Sequence, residues 1–520
     1  MEKKTTRREF LKKATLGAVG TAFTGITLSG KGSVFVNSEK SAPAILSKST
    51  RGDRPNILYI FPDQLRYSAL GSNGNKIIST PNIDKIAEQG VVFDQAFSSC
   101  PVCAPHRAQL ITGRYSHKNG VVDNEYKPRT DQVFFHQALK RAGYRTAHIG
   151  KWHLGYGPYT KDKRYGLDYM FAHDCDHRYY NVQYYENEKG PINTHTWSPE
   201  IETTKAIEFI EDHCKRYKGT PFSLHIGFGP PHNGYGGKGH LPYDLYPGEF
   251  NIYDPAEIEL RPNVPVPLAD FARNEIADYY ANITGIDTQV GRLMAKLDEL
   301  GIAENTILVF SADHGDHLRS YGYGTPDDRW LHYTKRANKA TPHEEAIHIP
   351  FIMRFPALGK GGKRTQTLLS SVDIMPTLLS LCGLEIPEGV QGKDLSYVVR
   401  GEKGEMPDSV YLQILGPGWP HRGRWVGFWR GVRTERWLYA RWHEPSKYEH
   451  GIWLFDREND PYEMNNLAGK KEYKGIQDKL EKRLKQWIKQ TDDPFDSGER
   501  DPKTGMLLLG QEFSLEKYYR

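Results

Sequence analysis

The stretch "NILYIFPDQ", residues 56–64, shows the pattern that decides the fold class: a short apolar run followed directly by polar residues. Its apolar part is rich in aliphatic and aromatic side chains and is bounded by Pro62, which is typical of a buried strand. Four more segments have the same character. They are "RTAHIG" (145–150), "FSLHIGF" (222–228), "TILVFS" (306–311) and "IPFIMRF" (349–355).

Helical patterns lie between these strand segments. Over residues 273–300, apolar side chains recur near every 3.6 residues, and Gly301 follows as a C-terminal stop. Residues 372–384 form another apolar helical segment that ends at a glycine. Alternating strands and helices predict an α/β domain with a doubly wound, mainly parallel sheet flanked by helices.

The pattern changes from about residue 405. The segments at 409–415, 424–442 and 451–456 are typical of consecutive antiparallel strands, and an amphipathic helix follows at 473–490. We therefore predict a main α/β domain over residues 52–404 and a smaller C-terminal α+β subdomain, with an antiparallel sheet, over residues 405–520.

The first 44 residues have the pattern of an export signal. Arg7 and Arg8 precede a weakly apolar stretch, which resembles a bacterial twin-arginine signal, and "SAPA" offers a cleavage site after Ala44. We expect the folded protein to pass through the twin-arginine translocase into the bacterial periplasm. The apolar stretch is too short and too polar to span a bilayer, so we do not expect an integral membrane protein.

Charge and cysteine content exclude two classes of protein. Residues 1–44 hold eight Lys or Arg and three Glu, which accounts for the whole formal charge of +5. The neutral remainder argues against a nucleic-acid-binding protein, which needs basic surface to neutralise phosphates. Five cysteines are too few for a disulfide scaffold of this length.

Polar side chains follow four of the predicted strands at the point where each strand ends. In an open α/β sheet, ligands bind outside the carboxyl ends of the strands. We therefore expect these side chains to converge on one crevice. They are Asp63 and Gln64, Lys151 and His153, His232 within "GPPHN", and Asp313 and His314.

Three of these residues are suited to a hard divalent cation such as Ca²⁺. Asp63, Gln64 and Asp313 offer the oxygen ligands that Ca²⁺ prefers. His314 is a less usual ligand for such an ion because imidazole binds calcium poorly.

The segment "SSCPVCAPHRAQLITGRYSH", residues 98–117, contains two cysteines at the spacing of a redox pair. A thioredoxin-like centre at Cys100 and Cys103 is one interpretation, but it gives the polar strand ends no role. If a helix begins near Pro105, Cys103 lies at its N-terminus, where an anion is favoured. Arg107, together with Lys151 and Lys339, could then bind a tetrahedral oxyanion.

The same segment resembles the signature of the type I sulfatases, a family of the alkaline phosphatase-like superfamily whose core motif is Cys-x-Pro-x-Arg. Position 106 is His, where many members have Ser. The likeness extends over nearly the whole mature chain, in the family's order. Matching segments are "RPNILYIFPDQLRYSALG", "IGKWHLG", "GPPHNGY", "SADHGDHLRSYG" and "KATPHEEAIHIPFI".

The resemblance implies hydrolysis of a sulfate ester by an oxidised cysteine. A formylglycine-generating enzyme would convert Cys103 to 3-oxoalanine (Cα-formylglycine), whose hydrated gem-diol attacks sulfur and later expels inorganic sulfate. One divalent cation, Ca²⁺, would assist. The implied ligands are Asp63, Gln64, Cys103, Asp313 and His314. In the implied reaction Arg107, Lys151 and Lys339 bind the diol and sulfate, His232 acts as general acid and His153 as general base.

The resemblance also implies a substrate class, a sulfated carbohydrate, for which His106, Asn233 and Tyr235 are candidate contacts. Lys335 is an alternative to Lys339 as the active-site lysine, because the segment before it is long. Two alternatives stay open at this point. One is a phosphodiesterase or phosphonate ester hydrolase of the same superfamily, and the other is a glycan-binding relative in which residue 103 is never oxidised.

Overall fold

The protein is built around a large mixed sheet whose central strands are parallel. A computed structural model describes residues 54–234, 252–322, 339–359, 361–415, 428–443 and 451–497. All of these residues belong to one compact unit, which contains a ten-stranded sheet and a four-stranded sheet.

The strands are short and mostly buried. Along the chain they are β1 (Asn56–Ile60), β2 (Val91–Phe97), β3 (Arg145–Lys151), β4 (Tyr169–His173), β5 (Gln183–Glu186), β6 (Lys189–Asn193), β7 (Phe222–Gly227), β8 (Thr306–Phe310), β9 (Ile352–Arg354), β10 (Lys363–Ser370), β11 (Val410–Ile414), β12 (Trp429–Arg433), β13 (Trp437–Trp442) and β14 (Ile452–Asp456). The large sheet has the order β10-β2-β9-β8-β1-β7-β3-β4-β5-β6.

Helices connect and flank these strands. They are α1 (Pro81–Gln89), α2 (Cys103–Thr112), α3 (Ser116–Asn119), α4 (Phe135–Arg141), α5 (Ser198–Arg216), α6 (Ala269–Glu299), α7 (Glu344–Ile347), α8 (Ile374–Leu381), α9 (Ser396–Arg400) and α10 (Lys474–Thr491). The longest, α6, contains 31 residues and buries the apolar stripe that the 3.6-residue period predicts.

The predicted fold class is confirmed. Strands β8, β1, β7, β3 and β4 run parallel, and β1 is buried along its whole length, which is why its sequence is almost continuously apolar. The sheet is more mixed than its parallel centre, because β9 runs antiparallel to both β2 and β8. The apolar run 349–355 contributes only Ile352–Arg354 as a strand.

The four-stranded antiparallel sheet, in the order β11-β12-β13-β14, packs beside the start of α2. Leu412 and Trp429 belong to the same hydrophobic cluster as Val102, the residue that precedes Cys103. The indole N–H of Trp429 donates to the carbonyl of Ala340 at 3.2 Å. The small sheet therefore supports two segments that carry predicted site residues.

Among the helices in the described part of the chain, none has both the length and the apolar character that crossing a bilayer requires. The predicted export signal at residues 1–44 lies outside the described residues.

Candidate active site

Helix α2 begins at Cys103 itself, two residues before the predicted start at Pro105. Its N-cap residue, Val102, offers no side-chain hydrogen bond. The amide N–H of Ala104 instead donates to Oδ1 of Asn124 at 3.0 Å. All ten helix residues are buried, so the candidate nucleophile lies at a helix N-terminus inside the protein.

Two aspartates reach the site symmetrically from neighbouring strands. Ile60 of β1 pairs with Phe310 of β8, and Asp63 and Asp313 each follow three residues later. The amide N–H of Gln64 donates to Oδ1 of Asp313 at 2.9 Å, which joins the two strand ends. Parallel pairing therefore brings together carboxylates that are 250 positions apart in sequence.

Arg107 connects these strand ends to a third strand. Its Nη2 atom lies 3.1 Å from Oδ2 of Asp63 and 3.0 Å from Oδ2 of Asp313. Its Nη1 atom donates to the carbonyl of Lys151 at 2.6 Å. The guanidinium is 2% exposed and its position is fixed by three partners on three strand ends.

Lys151 lies at the end of β3 and pairs with Asp63, whose Oδ2 atom is 2.7 Å from its ammonium nitrogen. Burial alone would raise the pKa of Asp63, but Lys151 and then Lys339 outweigh it and hold that pKa well below its usual range. Burial likewise opposes the charge on Lys151, yet Asp63 raises the pKa of its ammonium group. Both groups are therefore charged at neutral pH.

Lys339 approaches the sulfur of Cys103 more closely than Asp63, whose Oδ1 atom accepts from Sγ at 3.6 Å. Its Nζ atom lies 3.0 Å from Sγ of Cys103, 2.9 Å from Oε1 of Gln64 and 3.2 Å from Nε2 of His314. Lys339 makes no ion pair with a carboxylate among the described residues, although it is only 2% exposed. Its charge is therefore directed at the centre of the cluster. Lys335, the alternative lysine, lies outside the described residues.

The donor set in the cluster fits a divalent cation. One ligand atom from each of Asp63, Cys103, Asp313 and His314 lies within 4.8 Å of every other. The amide of Gln64 donates through Nε2 to Asp316 at 2.5 Å, which turns its carbonyl oxygen toward the cluster. Buried carboxylate and amide oxygens are the ligands that hard cations prefer.

His314 can add a nitrogen lone pair to this set. Its Nδ1 lies 2.9 Å from the carbonyl of Gly315 and therefore donates to it, which leaves Nε2 as the acceptor facing Cys103 at 3.3 Å. Burial lowers the pKa of His314 to about 4, so the ring is neutral near neutral pH.

The charges of the cluster favour an anionic ligand. Two carboxylates face three cations, so the side chains alone carry one net positive charge, and a bound divalent cation would add two more. Asp63 and Asp313 are paired with Arg107 and Lys151, whereas Lys339 is not. A buried site with excess positive charge stabilises the negative oxygens of a tetrahedral ester.

His232 and His153 lie at neighbouring strand ends but differ in their contacts. The ring of His232 is stacked on that of His177 with centroids 4.0 Å apart, and its Nδ1 donates to the carbonyl of Asn233 at 2.8 Å. Burial, and then the charge of Lys339, hold the pKa of His232 well below its usual value. His153 follows β3 in a left-handed backbone conformation with φ of 58°.

The candidate substrate residues lie in three different settings. His106 is completely buried, and its Nδ1 is 2.9 Å from the hydroxyl of Ser98, so it faces the interior. Asn233 is half-buried beside His232. Tyr235 lies outside the described residues.

Sequence reasoning missed His177, Tyr179 and Asp316. The Tyr179 hydroxyl donates to the carbonyl of His232 at 2.6 Å, and His177 forms the stack described above. Their segment, "DCDHRYY" (174–180), is rich in Tyr and His, which was the available signal. Asp316 orients Gln64, a contact that only the folded chain reveals.

Cys100 and Cys103 are both free thiols, and so are the other three cysteines. Cys100 is buried in the hydrophobic cluster beneath the small sheet. Burial raises its pKa above the ordinary range, so it lacks the thiolate character of a redox centre.

A large α/β sheet with carboxylates, Lys and Arg side chains and a helix N-terminus at one edge is typical of a hydrolase that acts on tetrahedral esters. Residues 55–384 match the sequence profile of the family described as Sulfatase, and residues 330–490 match that of the N-sulphoglucosamine sulphohydrolase C-terminal region. The chain belongs to the sulfatase family.

Individual relatives agree with this assignment. The chain is 33% identical to an ulvan-active sulfatase of Formosa agariphila over 85% of its own length and 83% of that protein. It is 29% identical to a solved Bacteroides thetaiotaomicron structure concerned with metabolism of multiple glycosaminoglycans, with a TM-score of 0.75 over 85% of this chain and 98% of that one.

A more distant solved structure shares the fold alone. It is a phosphonate monoester hydrolase of Agrobacterium radiobacter, 20% identical, with a TM-score of 0.67 over 87% of this chain and 99% of that one.

Proposed function

We propose that this sulfatase hydrolyses sulfate esters on a sulfated carbohydrate, with formylglycine at position 103 and one bound divalent cation, Ca²⁺. The observation that carries the proposal is the convergence of Lys151, Arg107 and Lys339 with two carboxylates around Cys103. Such a site can hold a cation and a sulfate group side by side.

Formylglycine at position 103 is supported by the residues around it. Sγ of Cys103 marks where the oxygen of the oxidised, hydrated side chain would stand, 3.0 Å from Nζ of Lys339. Burial, and then the charge of Asp63, raise the pKa of the unmodified thiol, which makes it a poor nucleophile. Formylglycine supplies a hydrated aldehyde with one hydroxyl to attack sulfur and a second to release the sulfate.

The cation would be held by Asp63, Gln64, Asp313 and His314, together with residue 103. When bound, it neutralises charge on the sulfate oxygens and lowers the pKa of the attacking hydroxyl. Arg107 keeps the two carboxylates at fixed positions through its contacts of 3.1 and 3.0 Å. The donor set is therefore pre-organised.

Lys339 and Lys151 would bind the sulfate oxygens and compensate the charge that grows on them during transfer. Lys339 is better placed for this role because it is not neutralised by a carboxylate. Lys151 is also paired with Asp63 at 2.7 Å, which orients its ammonium group.

His232 would donate a proton to the departing alcohol oxygen, and His153 would remove the proton from the second hydroxyl of residue 103. The pKa of His232 is low in the free protein because of burial and Lys339. An anionic sulfate ester bound beside it would raise that pKa and favour the protonated form. This would link protonation of the acid to substrate binding.

The carbohydrate substrate is supported by the relatives, whose names concern ulvan and glycosaminoglycans. Asn233 and Tyr235 follow His232 and would contact the sugar that carries the sulfate. Export through the twin-arginine route to the periplasm, predicted from residues 1–44, is consistent with action on a polysaccharide. A formylglycine-generating enzyme is the required maturation partner.

The test is to co-express the protein with a formylglycine-generating enzyme and quantify the aldehyde at residue 103 by mass spectrometry. The product is then assayed for sulfate release from a panel of sulfated mono- and oligosaccharides. We expect aldehyde-dependent sulfate release. Turnover of aryl phosphates or phosphonates alone would support the phosphoester alternative, and unmodified Cys103 in protein from the native host would support the glycan-binding alternative.

A further inference from the structure

A small cavity lies against the buried side chain of Arg107. It has a volume of about 10 Å³. Its wall combines aromatic and aliphatic side chains with four nitrogen-bearing ones. The lining residues with nitrogen atoms are Arg107, His148, Trp152 and His225, and the remainder are Phe61, Leu110, Ile111 and Leu154.

Each nitrogen-bearing residue presents a buried atom with no hydrogen-bond partner among the described residues. These atoms are Nε of Arg107, Nε1 of Trp152, Nδ1 of His148 and Nε2 of His225. The four side chains are almost completely buried. Buried polar atoms are rarely left unpaired because each costs about 1–3 kcal/mol.

The hydrogen-bonding roles of three of these atoms are fixed. Arg107 Nε and Trp152 Nε1 can only donate. His148 Nε2 lies 3.1 Å from the carbonyl of Lys151 and must donate to it, so a neutral His148 presents Nδ1 as an acceptor. Burial, and then the charge of Arg107, lower the pKa of His148 and keep the ring neutral.

From this arrangement we infer that one tightly held water molecule binds in the cavity and makes His148 a positioning residue for Arg107. The water accepts from Arg107 Nε and Trp152 Nε1 and donates to Nδ1 of His148, and Nε2 of His225 can accept its second hydrogen. Two donors and two acceptors match the four hydrogen bonds of a water molecule. The cavity is near the roughly 10–15 Å³ that one water requires.

His148 then holds Arg107 through two links. One is the water, and the other is the carbonyl of Lys151, which accepts from Arg107 Nη1 at 2.6 Å and from His148 Nε2 at 3.1 Å. Nη2 of the same guanidinium contacts Asp63 and Asp313. On the proposed function, a displaced guanidinium would displace the cation ligands and residue 103, so the cavity water contributes to catalysis without touching substrate.

The test compares His148→Phe, which removes both links, with His148→Asn, whose amide oxygen can replace the Nδ1 acceptor. The matched control is His136→Phe, because His136 is also fully buried, packs on His225 with ring centroids 4.7 Å apart, and does not line the cavity. We expect His148→Phe to lower kcat roughly 10- to 100-fold at unchanged formylglycine content. We expect His148→Asn to recover most of that loss and His136→Phe to retain the wild-type kcat.

Crystal structures supply a readout that does not depend on activity. The wild-type protein should hold an ordered water within 3.2 Å of Arg107 Nε, Trp152 Nε1 and His148 Nδ1, a limit set by ordinary hydrogen-bond lengths. His148→Phe should lose it and shift the guanidinium. A dry wild-type cavity, or full kcat in His148→Phe, would overturn the inference. An ordered water in a protein inactive on every sulfate ester would instead count against the proposed function alone.

Discussion

Lys339 gives the sharpest test of how the site binds sulfate. Its ammonium nitrogen lies 3.0 Å from Sγ of Cys103 and 2.9 Å from Oε1 of Gln64, and it has no carboxylate partner among the described residues. Replacing it with Met keeps the length and apolar stem of the side chain and removes the charge. We therefore expect Lys339→Met to fold normally and to bind the reacting sulfate poorly.

The magnitude follows from the geometry. Two unit charges about 3 Å apart attract by roughly 5 kcal/mol at an effective dielectric constant of about 20. Part of this attraction is already present in the bound ground state. Removing one donor aimed at developing charge costs about 3–4 kcal/mol in enzymes, so kcat should fall roughly 100- to 1000-fold.

The assay measures kcat and KM by sulfate release, at matched formylglycine content, for the wild type, Lys339→Met and Lys335→Met. Matching the aldehyde content separates catalysis from maturation. Lys335→Met is the control for the alternative lysine, and we expect it to retain most activity. If Lys339→Met kept kcat within threefold of the wild type, the assignment of Lys339 to the sulfate would be refuted.

Three further predictions concern the nucleophile, the cation and the small sheet. Cys103→Ala should abolish both the aldehyde signal and sulfate release while leaving the melting temperature nearly unchanged, and any substantial residual turnover would contradict the proposed nucleophile. Chelation should remove the sulfatase activity, and added Ca²⁺ should restore it. The Asp313→Asn variant should need at least about tenfold more Ca²⁺ for half-maximal activity. Activity that does not respond to the chelator would exclude an exchangeable cation. Arg430 binds Asp493 through contacts of 2.8 and 2.9 Å in a fully buried pair, so Asp493→Asn should cost about 3–5 kcal/mol in urea denaturation. Burial opposes ionisation of Asp493, but Arg430 lowers its pKa overall. The wild type should therefore lose this contribution as pH falls below about 3.9, an acid dependence that the variant should lack.

The strands, and the convergence of the polar residues at their ends, were predictable because local sequence encodes them. A short apolar run such as 56–61, bounded by Pro62, favours a buried strand, and the carboxyl ends of parallel strands lie at one edge of the sheet. Asp63 and Asp313 therefore meet as a consequence of the pattern. The acidic and basic residues at the strand ends then indicated that the site binds a cation and an anion.

Other features depend on contacts that no local pattern encodes. The stacking of His177 on His232 joins a loop after β4 to one after β7, and the Asn124 cap reaches α2 from a turn 20 residues away. The antiparallel course of β9 is set by its two neighbours rather than by its own three residues. The contact of His106 with the hydroxyl of Ser98 likewise depends on the packing of α2.

The burial of residue 103 bears on whether an oxidising enzyme could reach it before or after the chain folds. The Cys103 side chain is 1% exposed, and Val102, the residue before it, packs in one hydrophobic cluster with strands of the C-terminal small sheet. An oxidising enzyme would have no access to that sulfur once the last strands had assembled. On the proposed function, the oxidation of Cys103 would therefore have to take place before folding is complete, and a chain that folds with the unmodified thiol would stay inactive.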